Sequence, residues 1–421
     1  MRFDTIAENN KSGSLDWTIP KEMDCEDKLV CYVDKQVLHP GGVISLRASA
    51  TEDLVAGLRI FRMGWYSGAG ARLIQSASGL RIPAITTWNK LSKPLPKDEL
   101  CLEWPEVISI SIGDDWCEGL YIARLELVDG KATMAPFWLT SPQEVTGLTV
   151  VFSPINIQAR NWWGGYSATQ VINGRSEKRR DLYHPIGIKE INLNRPMYNS
   201  RGGDALRWDY PLIRFLERHD IPITYSSDID ITNSRIIPKS VSHLVTTGPM
   251  RYWTKEFESS LSDFIQSGGN YVHLGSEAGQ HIVSLDSGIV ALHGDEIGER
   301  LENPLTNSRP SGSKPKPPWS SMQVKLDGLD SFEVQGLIGS SWDRARDGSK
   351  VVALGYGRHK FLRKRIAESS TNSIGLGTVF NSAVSNWTWA LSAYRRQGNI
   401  KVNENLQKFT LSLLGIDPNL L

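Results

Sequence analysis

Near Thr146 the hydrophobic pattern of this chain changes period, and that change limits the folds open to it more than any single motif. Upstream, residues 42–48 (GVISLRA), 55–63 (VAGLRIFRM), 106–112 (EVISISI), 119–128 (GLYIARLELV) and 135–139 (APFWL) alternate or are rich in β-branched residues. Gly and Pro clusters such as His39-Pro40-Gly41-Gly42 and Ser67-Gly68-Ala69-Gly70 separate them. Short runs of period two, punctuated in this way, are the pattern of strands with one buried face. No helical period interrupts them. An antiparallel β-sandwich is therefore expected over residues 28–141, after an N-terminal extension of residues 1–27.

Downstream, residues 148–152 (LTVVF) form a continuous apolar run of the kind buried on both faces of a parallel sheet. Residues 211–219 read as a helix with Leu212, Ile213 and Leu216 on one face, followed by strands at 222–225 and 241–246. Thr254 is placed to cap a helix carrying Phe257, Leu261, Phe264 and Ile265, which Gly268-Gly269 stops. Further strands are expected at 270–274, 350–354 and 378–381, and helices near 387–395 and 403–414. Strands alternating with helices imply an α/β domain over residues 147–421 with a mostly parallel sheet. Residues 303–318, rich in Pro, Ser and Lys, read as a surface excursion or lid.

Bulk properties exclude several classes of function. Lys plus Arg number 47 and Asp plus Glu 46, so the electrostatic footprint of a nucleic-acid binder is missing. No run approaches the roughly 18 apolar residues of a membrane span. The acidic start of the chain lacks the apolar segment of a secretory signal, and a cytoplasmic location is expected. Four cysteines make no disulfide framework; Cys25 and Cys31 are within reach of a bridge in sequence, but free buried thiols fit that compartment better. The 14 tryptophans fit either an aromatic pocket or large core side chains, with the core favoured.

In an open parallel sheet, ligands bind beyond the carboxyl ends of the strands. That rule selects the turns after Phe152, Thr247 and Leu274. They carry Asn161-Trp162-Trp163-Gly164-Gly165, then Gly248-Pro249-Met250-Arg251-Tyr252-Trp253, then Gly275-Ser276-Glu277-Ala278-Gly279-Gln280-His281. In the last, a strand ending in G-x-X-x-G and running into a helix would expose X on a sharp elbow. Class I glutamine amidotransferases have a cysteine there; here it is Glu277, able to act as base or acid but a poor substitute for a thiolate. The competing reading is a tight turn with no chemistry. His273, Glu277 and His281 have the spacing of a helical metal stripe, yet His273 lies inside a predicted strand, which points away from a metal site. HExxH, CxxC pairs, GxxxxGK[ST] and G-x-S-x-G are all missing.

Taken together, these turns resemble the large (β) subunit family of N,N-dimethylformamidase. Pro40-Gly41-Gly42 and residues 58–72 (LRIFRMGWYSGAGAR) are similar to that family's sandwich segments, as are Gly119-Leu120-Tyr121 and Pro136-Phe137. Asn161-Trp162-Trp163-Gly164-Gly165, Asn194-Arg195-Pro196, residues 211–217 (PLIRFLE), Gly248 with Tyr252-Trp253, residues 375–381 (GLGTVFN) and Trp387 match in order. The similarity spans about residues 38–415. It implies a β-sandwich followed by an amidotransferase-like (flavodoxin-like) α/β domain, and hydrolysis of a small N-alkyl formamide at an iron held by two tyrosines and a glutamate, with an auxiliary histidine and acid.

The resemblance breaks at the metal. Arg160 stands where the family has a tyrosine, and Met197 follows Arg195-Pro196 where another is expected, with Tyr198 one place later. The segment Gly248-Pro249-Met250-Arg251 lacks the family's histidine and glutamate, and Asn386 replaces the acid before Trp387. Two arginines repel a cation, so no metal and no cofactor are expected. The expectation is action on the C–N bond of a small, anionic, amide-type molecule. Glu277, Tyr198 and Tyr252 would handle protons; Arg160, Arg251 and Asn386 would hold the substrate among Trp162, Trp163 and Trp253. The alternative is a non-catalytic partner subunit or a module binding small anions or carbohydrates. A small-molecule ligand is expected as partner, with a homo-oligomer or a complex with a related subunit, and neither nucleic acid nor membrane.

Overall fold

The computed structural model describes residues 4–85, 104–165, 167–168, 190–198, 202–292, 303–312, 320–326, 329–339, 341–359, 362–393 and 400–421. It is a mixed α/β chain in which strands predominate, and it divides into two compact units. The first comprises Met1–Ser141, Pro154–Leu206 and Ser284–His293; the second comprises Pro142–Ser153, Arg207–Val283 and Gly294–Leu421. No described helix is long and apolar enough to cross a membrane.

In the first unit, Leu29–Asp34, Val43–Ala50 and Glu106–Ser111 form one antiparallel sheet. Val37–Leu38, Ala132–Leu139, Gly119–Leu127, Leu54–Met63 and Ala71–Ile82 form a second, antiparallel except for its first, parallel pairing. Alternate residues of both sheets enter one core: Cys31, Val33, Leu46 and Ala48 from the first, and Leu58, Ile60, Ala123, Leu125 and Phe137 from the second. This sandwich-like packing follows from the period of two, because each strand has one apolar face to bury. Each fully enclosed Leu, Ile or Phe contributes about 1.5–3 kcal/mol.

Residues 4–27, within the expected N-terminal extension, pack in this unit. Asp4 caps the short helix Thr5–Asn9, accepting from the N–H groups of Ile6 and Ala7. The end of this helix and the residues after it grip the 64–70 loop, where Tyr66, Ser67, Gly68 and Gly70 all have positive φ. Asn9 Oδ1 accepts from Tyr66 N–H (2.8 Å), and Glu8 accepts from Tyr66 Oη (2.9 Å), Arg72 Nε (2.6 Å) and Lys11 Nζ (2.7 Å). Trp17 Nε1 donates to Ala69 O at 3.0 Å. Burial by itself would raise the Glu8 carboxyl, but Arg62, Arg72 and Lys11 outweigh it and hold the group below the usual range.

The second unit is organised by a nine-stranded sheet in the order Thr224–Ser227, Gly147–Phe152, Val241–Pro249, Asn270–Ser276, Gly377–Asn381, Leu362–Ile374, Lys350–His359, Ser320–Leu326, Leu329–Gln335. The first five run parallel, as the sequence pattern predicts. The remaining four pairings are antiparallel, so the sheet is mixed rather than mostly parallel. The reason is visible in Leu362–Ile374 (LRKRIAESSTNSI), too polar to announce itself as a buried strand. Within the expected lid, Ser308–Gly312 is a strand paired with Trp342–Ala345, and residues 313–319 lie outside the described residues. Of the helix expected near 387–395, a 3-10 turn spans Trp387–Ala390, and residues 394–399 lie outside the described residues. Glu404–Leu413 is helical, capped by Asn403.

The helix Lys255–Gln266 begins as expected, with Thr254 Oγ1 accepting from Phe257 N–H at 3.0 Å. Its face of Phe257, Leu261, Phe264 and Ile265 packs into a core with Val151, Leu244, Trp253 and Tyr271. Ser267 ends it, and Gly268 takes φ +108°, a conformation that leaves a Cβ-bearing residue strained.

Candidate functional site

The predicted site residues fall in both units, and each set has its own geometry. In the first, the helix Pro154–Arg160 ends in Arg160, whose Nε lies 3.8 Å from Asp204 Oδ2. Asn161 organises the chain just beyond that helix: its Nδ2 donates to Gln158 Oε1 and Pro196 O, and its Oδ1 accepts from the N–H groups of Trp163 and Tyr198. Arg195 returns the clamp, donating to the carbonyls of Gln158, Asn161 and Trp163, and burial pulls its guanidinium down to about 9. The two family-like segments around Asn161 and Arg195 thus fix each other's backbone. Trp162 is half-buried, Trp163 is enclosed with its ring edge-on to Trp104, and Tyr198 is 42% exposed.

In the second unit, the strands Val241–Pro249 and Asn270–Ser276 run parallel in register to their ends, with Gly248 opposite Gly275. A Cβ on Gly275 would sit 1.8 Å from Gly248 O, so only glycine allows this approach. The turn beyond does not enter a helix as expected. It leads into the strand His281–Asp286, whose first three residues pair in parallel with Tyr252–Thr254. Glu277 nevertheless has the strained elbow backbone, with φ +61°, which costs about 1–3 kcal/mol in a non-glycine residue.

That elbow aims Glu277 at the neighbouring turn, where Arg251 Nη2 donates to Glu277 Oε1 at 2.6 Å. The Arg251 side chain is 14% exposed and that of Glu277 3%, so the pair is largely withdrawn from water. Glu277 N–H donates to Asp343 Oδ2 at 2.9 Å. Asp343 is 1% exposed; burial first, and then the Glu277 charge, push its carboxyl up to about 8. Tyr252 stacks on His281 with centroids 5.5 Å apart, and burial together with Arg251 takes His281 down to about 4. His273 is buried in its strand, with Nδ1 at 2.9 Å from Thr246 Oγ1, and burial takes it to about 4 as well. It does not align with Glu277 and His281 as a ligand set. Among the described residues no group of three or more His, Cys, Asp or Glu is placed to hold a metal ion.

Beneath the elbow, the hydroxyls of Ser276, Ser341 and Ser385 form a closed triangle with edges of 2.7, 2.9 and 3.0 Å. Asn386, next to Ser385, is buried, and its N–H donates to Leu337 O. Trp253, expected on a crevice wall, is instead 1% exposed and packed against Phe257 and Tyr271, because a bulky ring opening a helix falls naturally into the sheet–helix core. Asp343 and the three serines were missed by sequence reasoning. Asp343 lies 66 residues beyond Glu277, on a strand with no motif, and only the fold brings it there.

The fold and the paired turns define a two-unit protein, one part sandwich-like and one a mixed α/β sheet with a carboxylate elbow. Over residues 57–288, more than half of the 421 residues, the chain matches the family described as N,N-dimethylformamidase beta subunit-like, C-terminal. The chain belongs to that family. No curated protein matches it in sequence. Among solved structures, it is similar to the β-galactosidase from Bacillus circulans sp. alkalophilus, at 16% identity and a TM-score of 0.34, covering 50% of this chain and 27% of that one. The β-galactosidase from Rahnella sp. R3 gives 16% and 0.30, covering 41% and 24%. The exo-β-1,4-mannosidase Op5Man5 from Opitutaceae bacterium strain TAV5 gives 10% and 0.30, covering 58% and 32%. The chain thus spans about a quarter to a third of those proteins, and likenesses this distant bear no further weight.

Proposed function

We propose that this chain cleaves the C–N bond of a small anionic amide, as a dimethylformamidase-like protein that works without the family's iron. The observation that carries the reading is the Arg251–Glu277 pair, set on a strained elbow at the carboxyl end of a parallel strand. Residues 28–141 serve in this reading as the sandwich domain and residues 147–421 as an amidotransferase-like domain, for which the run of five parallel strands speaks.

The residues at the family's ligand positions do not fit an iron. Arg160, Met197 and Pro249-Met250-Arg251 stand there, and Tyr198 is the one phenol among them. An iron ion calls for anionic oxygen or imidazole donors, and guanidiniums repel it.

A substrate carboxylate instead suits the fork of Arg251, which can grip it with two parallel hydrogen bonds. Doing so draws the guanidinium away from Glu277. The freed carboxylate takes a proton from the water that adds to the amide carbon, and returns it to the amine nitrogen as the C–N bond breaks. Tyr252 is the phenol that assists proton movement, and Asn386 joins Arg251 in the binding set.

A second reading has its own support: Glu277, Tyr252 and Trp253 are 3%, 2% and 1% exposed, as suits a non-catalytic partner subunit whose former site has been filled. Amine release from a panel of N-formyl and N-acetyl amino acids separates the two. The first reading expects turnover that Glu277→Gln lowers about 10²–10⁴-fold while the protein stays folded. No amine release from any member of the panel would leave the second.

A further inference from the structure

The Glu277 turn holds two carboxyl groups and one guanidinium. Arg251 donates to Glu277, and Asp343 accepts the Glu277 N–H on Oδ2. Its other oxygen, Oδ1, is buried and makes no well-formed hydrogen bond among the described residues, although the Asn381 amide approaches the carboxyl. The groups facing Asp343 come from three elements: Glu277 from the elbow, Arg251 from the turn after Val241–Pro249, and the Asn381 side chain from Gly377–Asn381. His281, on the next strand, adds no positive charge, since burial and Arg251 keep its ring neutral down to about pH 4. Arg344, beside Asp343 in sequence, donates instead to Arg365 O. A buried carboxylate in such a place has no cation of its own, and burying an unpaired charge is more costly than keeping a proton.

We infer that Asp343 is a positioning residue that stands behind Glu277 as a neutral carboxylic acid and holds the single proton of a two-carboxyl pair. In that form it anchors the elbow N–H without adding a second negative charge, so Arg251 stays with Glu277. When Asp343 loses its proton it competes with Glu277 for Arg251, and the turn loosens. The value of about 8 for its carboxyl, raised by burial and by the Glu277 charge, agrees with this arrangement. The inference concerns the same turn as the proposed reaction and needs no turnover to be tested, so the two fail separately.

The test is urea unfolding of the wild type, Asp343→Asn and Glu277→Gln between pH 5 and 9.5. An unfolded aspartate titrates at ~3.9. The folded value lies above it, so the stabilisation is fully present below pH ~4 and is lost as pH rises through about 8. The wild-type folding constant should therefore fall relative to that of Asp343→Asn by about tenfold per pH unit from pH 5 to 8, and run parallel to it above. In Glu277→Gln, with the neighbouring charge gone, the fall should end at lower pH. Parallel curves for wild type and Asp343→Asn from pH 5 to 8 overturn the inference. If Asp343→Asn does not fold, carboxyl ¹³C NMR of the aspartate-labelled wild type decides. One aspartate titrating near pH 8 supports it, and none above pH 6 overturns it.

Discussion

In the first unit Glu8 is one buried carboxylate among Arg62, Arg72 and Lys11; in the second, Arg251 bonds Glu277, whose own N–H bonds a second buried carboxyl, Asp343. The first cluster has more positive than negative charge, and each oxygen of Glu8 is bonded: Oε1 to Tyr66 and Arg72, Oε2 to Lys11. The second has one guanidinium for two carboxyl groups, and an Asp343 oxygen there makes no well-formed hydrogen bond among the described residues. A carboxylate over-supplied with donors is a structural clasp, and it ties the N-terminal residues to the 64–70 loop. A pair of carboxyl groups with a single cation, on a strained turn, is a place where stability has been given up, as happens at functional sites.

The largest expected effect tests the clasp. Glu8→Ala leaves the Arg62 and Arg72 guanidiniums buried without their carboxylate, a loss of about 3–5 kcal/mol. Urea unfolding at pH 7 measures it, and a cost under about 1 kcal/mol would erase the contrast between the units. The pH sign is opposite to that of Asp343. The Glu8 carboxyl is held below its unfolded value, so its contribution is present above about pH 4.5 and is lost as pH falls through the folded value. Acid should therefore free the N-terminal residues, while the Asp343 term weakens the elbow on the alkaline side.

The sequence foretold one cluster in part and the other not at all. Glu277 was legible because the glycines at 275 and 279 frame a turn after an apolar strand, and Arg251 because it follows Gly248 at the neighbouring strand's end. Their mutual bond was one of the outcomes the sequence left open. Asp343 was invisible, since a polar residue on a short strand carries no pattern and its partner Glu277 lies 66 residues away in sequence. Glu8 was equally hidden, in a stretch too short and polar to display a period. The strands of the sandwich and the Thr254 cap were readable because they depend on local rules of alternation and capping. The strand after Glu277 was read as a helix because the G-x-X-x-G analogy was followed, whereas HIVSLD alternates as a strand does.

A middle-sized effect tests the second cluster. Arg251→Ala should cost about 2 kcal/mol at pH 7, less than Glu8→Ala, because it breaks one ion pair where Glu8→Ala breaks the contacts of Arg72 and Lys11 together. The two variants compared by unfolding in the same buffer sharpen the contrast. A loss at Arg251 equal to that at Glu8 would make both clusters clasps and favour the non-catalytic reading. A gain in stability would mark Arg251 as held in the protein for a ligand's sake.

The smallest effect comes from one hydroxyl. Tyr66 Oη accepts from Arg62 Nη1 at 2.9 Å and donates to Glu8 Oε1 at 2.9 Å, so it relays between the two charges. Tyr66→Phe removes both bonds but no charge. Glu8 keeps Arg72 and Lys11, and Arg62 keeps the Glu118 carbonyl, to which its Nε donates at 3.0 Å. Because the clasp has donors to spare, the expected loss is about 1.5 kcal/mol, the lower end of the net worth of hydrogen bonds to charged groups. Should the loss instead approach that of Glu8→Ala, the phenol would be indispensable to the network. The first cluster would then be balanced as narrowly as the second, and charge surplus would no longer explain why one unit clasps and the other strains.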